Sequence, residues 1–166
     1  MCIRDRYIGE AYFFRAYSYF DLLQLYGDVI ITKKPLDITD PEMKVKRNDR
    51  SEVVDLIIDD LNHAVENLPA FKELTTEEEG RISKEGAQAF LSRVALYEGT
   101  WQKSRNGNQN TQRSANLLDI AAKAARTVID AKYGYTFRLF GTDSETKILG
   151  DSAQKYTVSY THLTLP

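Results

Sequence analysis

From Ala11 to Tyr26 the chain carries neither glycine nor proline, and its apolar side chains recur at helical spacing on more than one side of the wheel. Phe13, Ala16, Tyr17, Phe20 and Leu23 form one stripe; Tyr12, Tyr19, Leu22 and Tyr26 form a second. A helix with so little polar surface has to be covered by other helices. Gly27 then supplies a residue able to take positive φ just past the last turn. The pattern predicts a central core helix rather than a surface one. Arg15 and Asp21 lie within it, so each is expected to find a charged or polar partner on a neighbouring element.

A length of 166 residues suits one domain with a real hydrophobic core, or a piece of a larger one. A net charge of −2 gives no electrostatic case for nucleic acid, which needs clustered Lys and Arg. No apolar run reaches the length that spans a bilayer as a helix. The sole cysteine, Cys2, excludes an internal disulfide framework and a cysteine-rich metal site.

Beyond Gly27, Asp28 to Thr32 reads as an extended exit without an obvious strand partner. Lys33 to Arg50 holds Pro35 and Pro41 and many charges, a long connection over the surface. A second helix starts near Asp49, where Asp49 and Glu52 have the spacing of a capping box. Val53, Val54, Ile57, Ile58, Leu61, Ala64, Val65 and Leu68 mark its buried face. Glu52, Asp55, Asp59, Asp60, Asn62 and Glu66 mark its solvated face, and Pro69 stops it. Phe71 to Arg81 reads as a solvated loop.

Ser83 is the expected N-cap of a third helix, with Glu85 in its first turn. Ala87, Phe90, Leu91, Val94, Ala95 and Tyr97 form its stripe, and Gly99 is expected to end it. Trp101 then leads to a loop over 104–114 rich in amides. A fourth helix is expected from about Ala115 to Lys132, burying Leu117, Leu118, Ala121, Ala122, Ala124, Ala125, Val128 and Ile129, with Gly134 just past its end. Tyr135 to Phe140 reads as extended. The third and fourth helices together look like one tetratricopeptide-type hairpin turning near Trp101, with a turn longer than a consensus repeat allows. The fold class is all-α: antiparallel helix pairs of tetratricopeptide-like type with long loops.

Several of these stretches carry a resemblance. The Gly9-Glu10-Ala11 start, the centre from Arg15-Ala16-Tyr17 to Tyr19-Phe20 and the exit Leu25-Tyr26-Gly27-Asp28-Val29 form one long pattern. Ile57-Ile58-Asp59-Asp60-Leu61 and Gly80-Arg81-Ile82-Ser83-Lys84-Glu85-Gly86-Ala87 follow in order. Together they resemble the SusD/RagB family, surface glycan-binding lipoproteins of Bacteroidetes nutrient-uptake systems. The similarity runs from about Gly9 to Phe140. It implies an outer-membrane protein seated over a SusC-like TonB-dependent transporter, capturing an oligosaccharide and handing it on uncleaved. A tetratricopeptide-like protein-interaction scaffold is the rival reading, and an all-α carbohydrate-active enzyme is a third.

The two ends, residues 1–6 and 158–166, look like translated sequencing-adapter read-through and are set aside as non-native. The expected domain is then 7–157, an internal fragment of a SusD/RagB-like helical domain. Cys2 as a lipid-acceptor cysteine is given little weight, because no signal peptide precedes it.

Candidate chemistry is sparse. His63, with Asp59 and Glu66 on its own helix face, could present imidazole and carboxylate together; a solvated acidic face is the preferred reading, and no metal is assigned. Ser18 lies inside the aromatic helix without a base. No carboxylate pair sits in a hydrolase signature. No catalytic residue and no cofactor are assigned. Sugar-binding proteins stack C–H faces on aromatic rings and bind hydroxyls through amides and charges. Trp101, Phe71 and Tyr97 are the aromatics nearest to loops, but Trp101 is read as structural. The resemblance implies that the glycan platform is built from variable loops and from chain beyond these residues, so no glycan-binding residue is assigned.

Overall fold

The computed structural model describes residues 3–37, 39–78, 80–105 and 111–137, the side chains of Ile3, Glu42 and Met43 excepted. The expectations for Cys2, for 106–110 of the amide-rich loop, for 138–140 and for 158–166 lie outside these residues. Four α-helices follow in order: α1 (Ile3–Tyr26), α2 (Arg50–Asn67), α3 (Lys84–Arg105) and α4 (Thr111–Ile129). Short 3-10 turns occupy Pro41–Lys44, Phe71–Glu73 and Thr76–Glu78, so the loop after α2 is partly ordered into turns. All of these belong to a compact unit ending at Tyr135. Each helix packs on the next: α1 on α2, α2 on α3, α3 on α4. Among the described residues the only β pairing is an isolated antiparallel bridge between Val29 and Asn48. The all-α expectation holds.

The inner face of α1 is the first stripe, with Phe13, Ala16, Phe20 and Leu23 buried and Tyr19 joining them from the second. Phe90 of α3 gathers the rings of Phe13, Tyr17 and Phe20, each at a centroid distance of 5.5 Å. The Tyr19 hydroxyl accepts the Thr32 N–H at 2.7 Å and so pins the chain's exit against the helix. The expectation of a fully covered core helix is corrected, however. Tyr7, Phe14, Tyr17, Leu22, Leu25 and Tyr26 are exposed, because α2 and α3 reach only one side of α1. α2 and α3 each lie between two other helices. α1 also starts earlier than its apolar pattern, at Ile3, and takes in residues 3–6.

Arg15 of α1 meets Asp60 of α2 in a two-pronged ion pair, Nε to Oδ2 at 2.7 Å and Nη2 to Oδ1 at 2.6 Å. Asp60 is 1% exposed, so its placement on the solvated side of α2 is corrected. A carboxylate can occupy that buried stripe because the guanidinium neutralises it. Those hydrogen bonds, against the opposing pull of burial, push the Arg15 guanidinium above its ordinary pKa. Asp21, expected to need a partner, is instead exposed. A second such pair ties α1 to the start of α3: Arg81 donates from Nε and Nη2 to the Glu10 carboxylate, both at 2.8 Å. The Glu10 bonds, followed by Tyr7, push Arg81 upward as well.

Asp49 caps α2 by accepting the Ser51 N–H at 2.8 Å. Glu52 takes the Asn48 side-chain amide at 2.9 Å instead of completing a capping box. Leu68 closes the helix through its N–H to the Ala64 carbonyl at 2.9 Å. Ser83 accepts the Gly86 N–H at 3.3 Å and caps α3 as expected.

Gly99 does not end α3, which runs on to Arg105. A Cβ there would lie 3.0 Å from Leu118 Cγ and 3.3 Å from Leu117 Cβ, so glycine serves close approach of α4 rather than a stop. Ser114 and Ser92 donate across the same contact, to the carbonyls of Gly99 at 2.8 Å and Ala121 at 2.9 Å. The hairpin therefore does not turn at Trp101, which is helical. α4 begins before Ala115 and stops short of Lys132; Ala131, at φ 51°, forms its left-handed exit. Its buried positions are Ser114, Leu117, Ala121 and Ala124, which face α3, while Ala122 and Ile129 are exposed; Arg113 reaches α2 at the Ser51 carbonyl and Asp55.

Candidate functional site

The singled-out aromatics separate to the two ends of α3. Phe71 donates its N–H to Glu85 Oε2 at 2.8 Å and packs on the tilted ring of Tyr135 at 4.6 Å, beside the first turn. Tyr97 and Trp101 stand in the second half of α3, about 18 and 24 Å further along the axis from Glu85. No single platform unites the three.

At the Trp101 end, the exit of α1, the start of α2 and the last turns of α3 enclose an open cleft of about 520 Å³. Tyr26, Asp28, Arg47, Arg50, Trp101 and Gln102 are among its lining residues. Arg50 organises the cleft. Its guanidinium lies over the Trp101 ring at 4.0 Å and over Tyr97 at 5.9 Å. Its Nε donates to both Glu98 oxygens, at 2.9 and 3.2 Å, and Nη1 reaches the Leu23 carbonyl at 3.3 Å. Nη2 lies 2.8 Å from Glu98 Oε2 as an ion-pair contact without a hydrogen bond's geometry. Glu98 is 0% exposed and also accepts the Gln102 amide at 2.7 Å.

Sequence reasoning missed Arg50 and Glu98. The signal was present: Glu98 stands four residues after Val94 and seven after Leu91, inside the buried stripe. A carboxylate in an apolar stripe requires a buried cation to offset its desolvation.

The cleft's own carboxylates are committed to backbone. Asp28 accepts the Arg50 N–H at 3.0 Å and Asp49 the Ser51 N–H, both in the first turn of α2. Neither is placed as one of a free acid–base pair across a scissile bond. What the cleft offers is an exposed Tyr26 ring, a half-buried Trp101 and polar groups for hydroxyls, the chemistry of non-covalent sugar contact. A second groove, of about 880 Å³, runs beside α2 and is lined by Ile31, Lys33, Lys34, Asn48, Glu52, Asp55, Leu56 and Asp59, without an aromatic ring.

The other candidates take local roles. His63 Nε2 is 3.8 Å from Asp59 and Nδ1 3.6 Å from Glu66, so the two carboxylates face different ring nitrogens, which one metal ion cannot bind together, and its ring packs on Tyr12 at 5.1 Å. Among the described residues no group of three His, Cys, Asp or Glu is arranged to hold a metal ion. The Ser18 hydroxyl donates to the Phe14 carbonyl at 2.9 Å, within its own helix. No helix of the described residues is long and apolar enough to cross a membrane.

Comparison with known proteins matches residues 4–96 to the SusD-like family model described as starch-binding and associating with the outer membrane. A SusD-like protein of Formosa agariphila is 36% identical over 93 residues, which is 55% of this chain and 17% of that protein. A laminarin-binding SusD-like protein of known structure is 28% identical with a TM-score of 0.60, over 81% of this chain and 26% of that one. A crystal structure with xylogluco-oligosaccharide is 29% identical with a TM-score of 0.55, over 73% of this chain and 23% of that one. The chain therefore spans between about a sixth and a quarter of the length of these relatives.

Proposed function

From the premise that this chain belongs to the SusD-like family, we propose that it is an internal piece of a non-catalytic glycan-binding lipoprotein at the cell surface. On this reading the whole protein captures an oligosaccharide and passes it to a SusC-like TonB-dependent transporter. The observation that carries the reading is the family match over 4–96, joined to structural likeness to a laminarin-binding relative. The cleft adds chemical support. It offers rings and hydroxyl partners, while its carboxylates are held by the start of α2. Within this chain, Tyr26 is the side chain proposed to touch sugar.

The test is calorimetric titration of the full-length protein with laminarin and xyloglucan oligosaccharides, alongside an assay for new reducing ends. Binding heat without released ends is expected. Released ends would replace the receptor with an enzyme, and no binding to any glycan would favour a protein-interaction scaffold. Co-purification with an outer-membrane β-barrel transporter tests the hand-off. Tyr26→Ala should weaken binding; full affinity in that variant would move the sugar contact out of this cleft and leave the family reading intact.

A further inference from the structure

The outer face of α1 is apolar along most of its length. Tyr7, Phe14 and Leu25 lie close to one line of that face, 57%, 59% and 75% exposed, with Tyr17 and Leu22 beside them. From Tyr7 to Leu25 the line is about 27 Å long. At about 200 Å² per aromatic side chain, Tyr7, Phe14 and Tyr17 alone leave roughly 300 Å² of ring open to water. Contiguous apolar patches of several hundred Å² mark contact surfaces.

Among the described residues α2 and α4 turn mostly polar residues outward, with Leu96 of α3 and Ile129 of α4 exposed singly. α2 turns Asp55, Asp59 and Glu66 outward, and α4 turns Gln112, Asn116, Asp119 and Lys123 outward. The α1 patch is therefore local and not a matter of composition.

We propose that this face is buried against polypeptide of the same protein lying outside residues 1–166. The inference rests on the reading that the chain is a piece of a longer protein. Two observations choose that occupant. The relatives are about four to six times as long as the part of them matched here, so most of a chain of that length has no counterpart among these residues. The face is also unsuited to lipid: Asp21 stands in the line between Phe14 and Leu25, and membrane-lying helices are rich in Lys and Arg instead.

The test places the photoreactive residue p-benzoylphenylalanine at Phe14 of the full-length protein, and in a separate sample at Asp59 on the outer face of α2. Irradiation should give an intramolecular adduct from position 14 to a residue outside 1–166, and none from position 59. An adduct to a second copy, an adduct within 138–166, or a probe quenched by solvent would each overturn the proposal. If the probe at 14 prevents folding, the probe at Tyr7 on the same line gives the same readout. Glycan titration of the same preparation reads the functional proposal separately, so either can fail alone.

Discussion

α1 and α2 lie against each other and share one core, yet their outer faces are opposites. α2 shows water Asp55, Asp59 and Glu66; α1 shows it Tyr7, Phe14 and Leu25. Both obey the same rule on the inside, where Leu23 of α1 and Ile57 and Leu61 of α2 are fully buried. On the reading that the chain is a piece of a longer protein, the difference teaches that α2 is finished by these residues and α1 is not. A helix with one apolar stripe needs one neighbouring layer, whereas a helix with two needs a second.

The comparison can be broken most forcefully at the joint that holds the two helices in register. Arg50, the first residue of α2, touches both the Leu23 carbonyl of α1 and the buried Glu98 of α3. Glu98→Ala in the full-length protein should cost about 3–5 kcal/mol, read from denaturant midpoints, because it strands a buried guanidinium. A loss below about 1 kcal/mol would mean that the joint is solvated and the register loose. Next comes the inner face: Leu23→Ala should cost about 2–5 kcal/mol.

The outer faces supply the contrast itself. Leu25→Ala should cost about 2 kcal/mol or more if α1 is covered in the full protein, while Asp59→Ala should stay within about 0.5 kcal/mol. Equal, negligible effects would erase the distinction between the two helices. Asp49→Ala removes the N-cap of α2 and should cost about 1 kcal/mol without touching either outer face.

The smallest effect is a pH slope. Burial first, then the nearby Glu85 carboxylate, raises the Tyr133 phenol above its ordinary value of 10.0. The folded state therefore favours the neutral phenol. Its contribution is present below that ordinary value and is lost as pH rises from there through the raised one. Tyr133→Phe should flatten the alkaline fall in stability, leaving the ordering of the outer-face variants unchanged. An unchanged slope would assign the fall to other groups.

Much of this was legible beforehand. The helices α1, α2 and α3, the Asp49 and Ser83 caps and the inner stripe of α1 follow from spacing and from residue chemistry at helix ends. Asp60 was misplaced because a carboxylate beside an apolar stripe looks the same whether water or Arg15 neutralises it. Gly99 misled because glycine serves both a helix stop and the close approach of another helix; only Leu117 and Leu118 of α4 distinguish the two. The Arg50–Glu98 joint escaped for the same reason as Asp60, its partners being far apart in the chain.

The sequence by itself determined which residues share a face of each helix, since that depends only on the 3.6-residue period, and it carried the long aromatic pattern by which the family can be recognised. Tertiary structure alone decided which face each neighbour covers. It set the partners of Arg15, Arg50 and Arg81, and made Gly99 a contact instead of an end. Those outcomes depend on groups many residues apart meeting at distances of about 3 Å, and periodicity holds no information about what stands opposite.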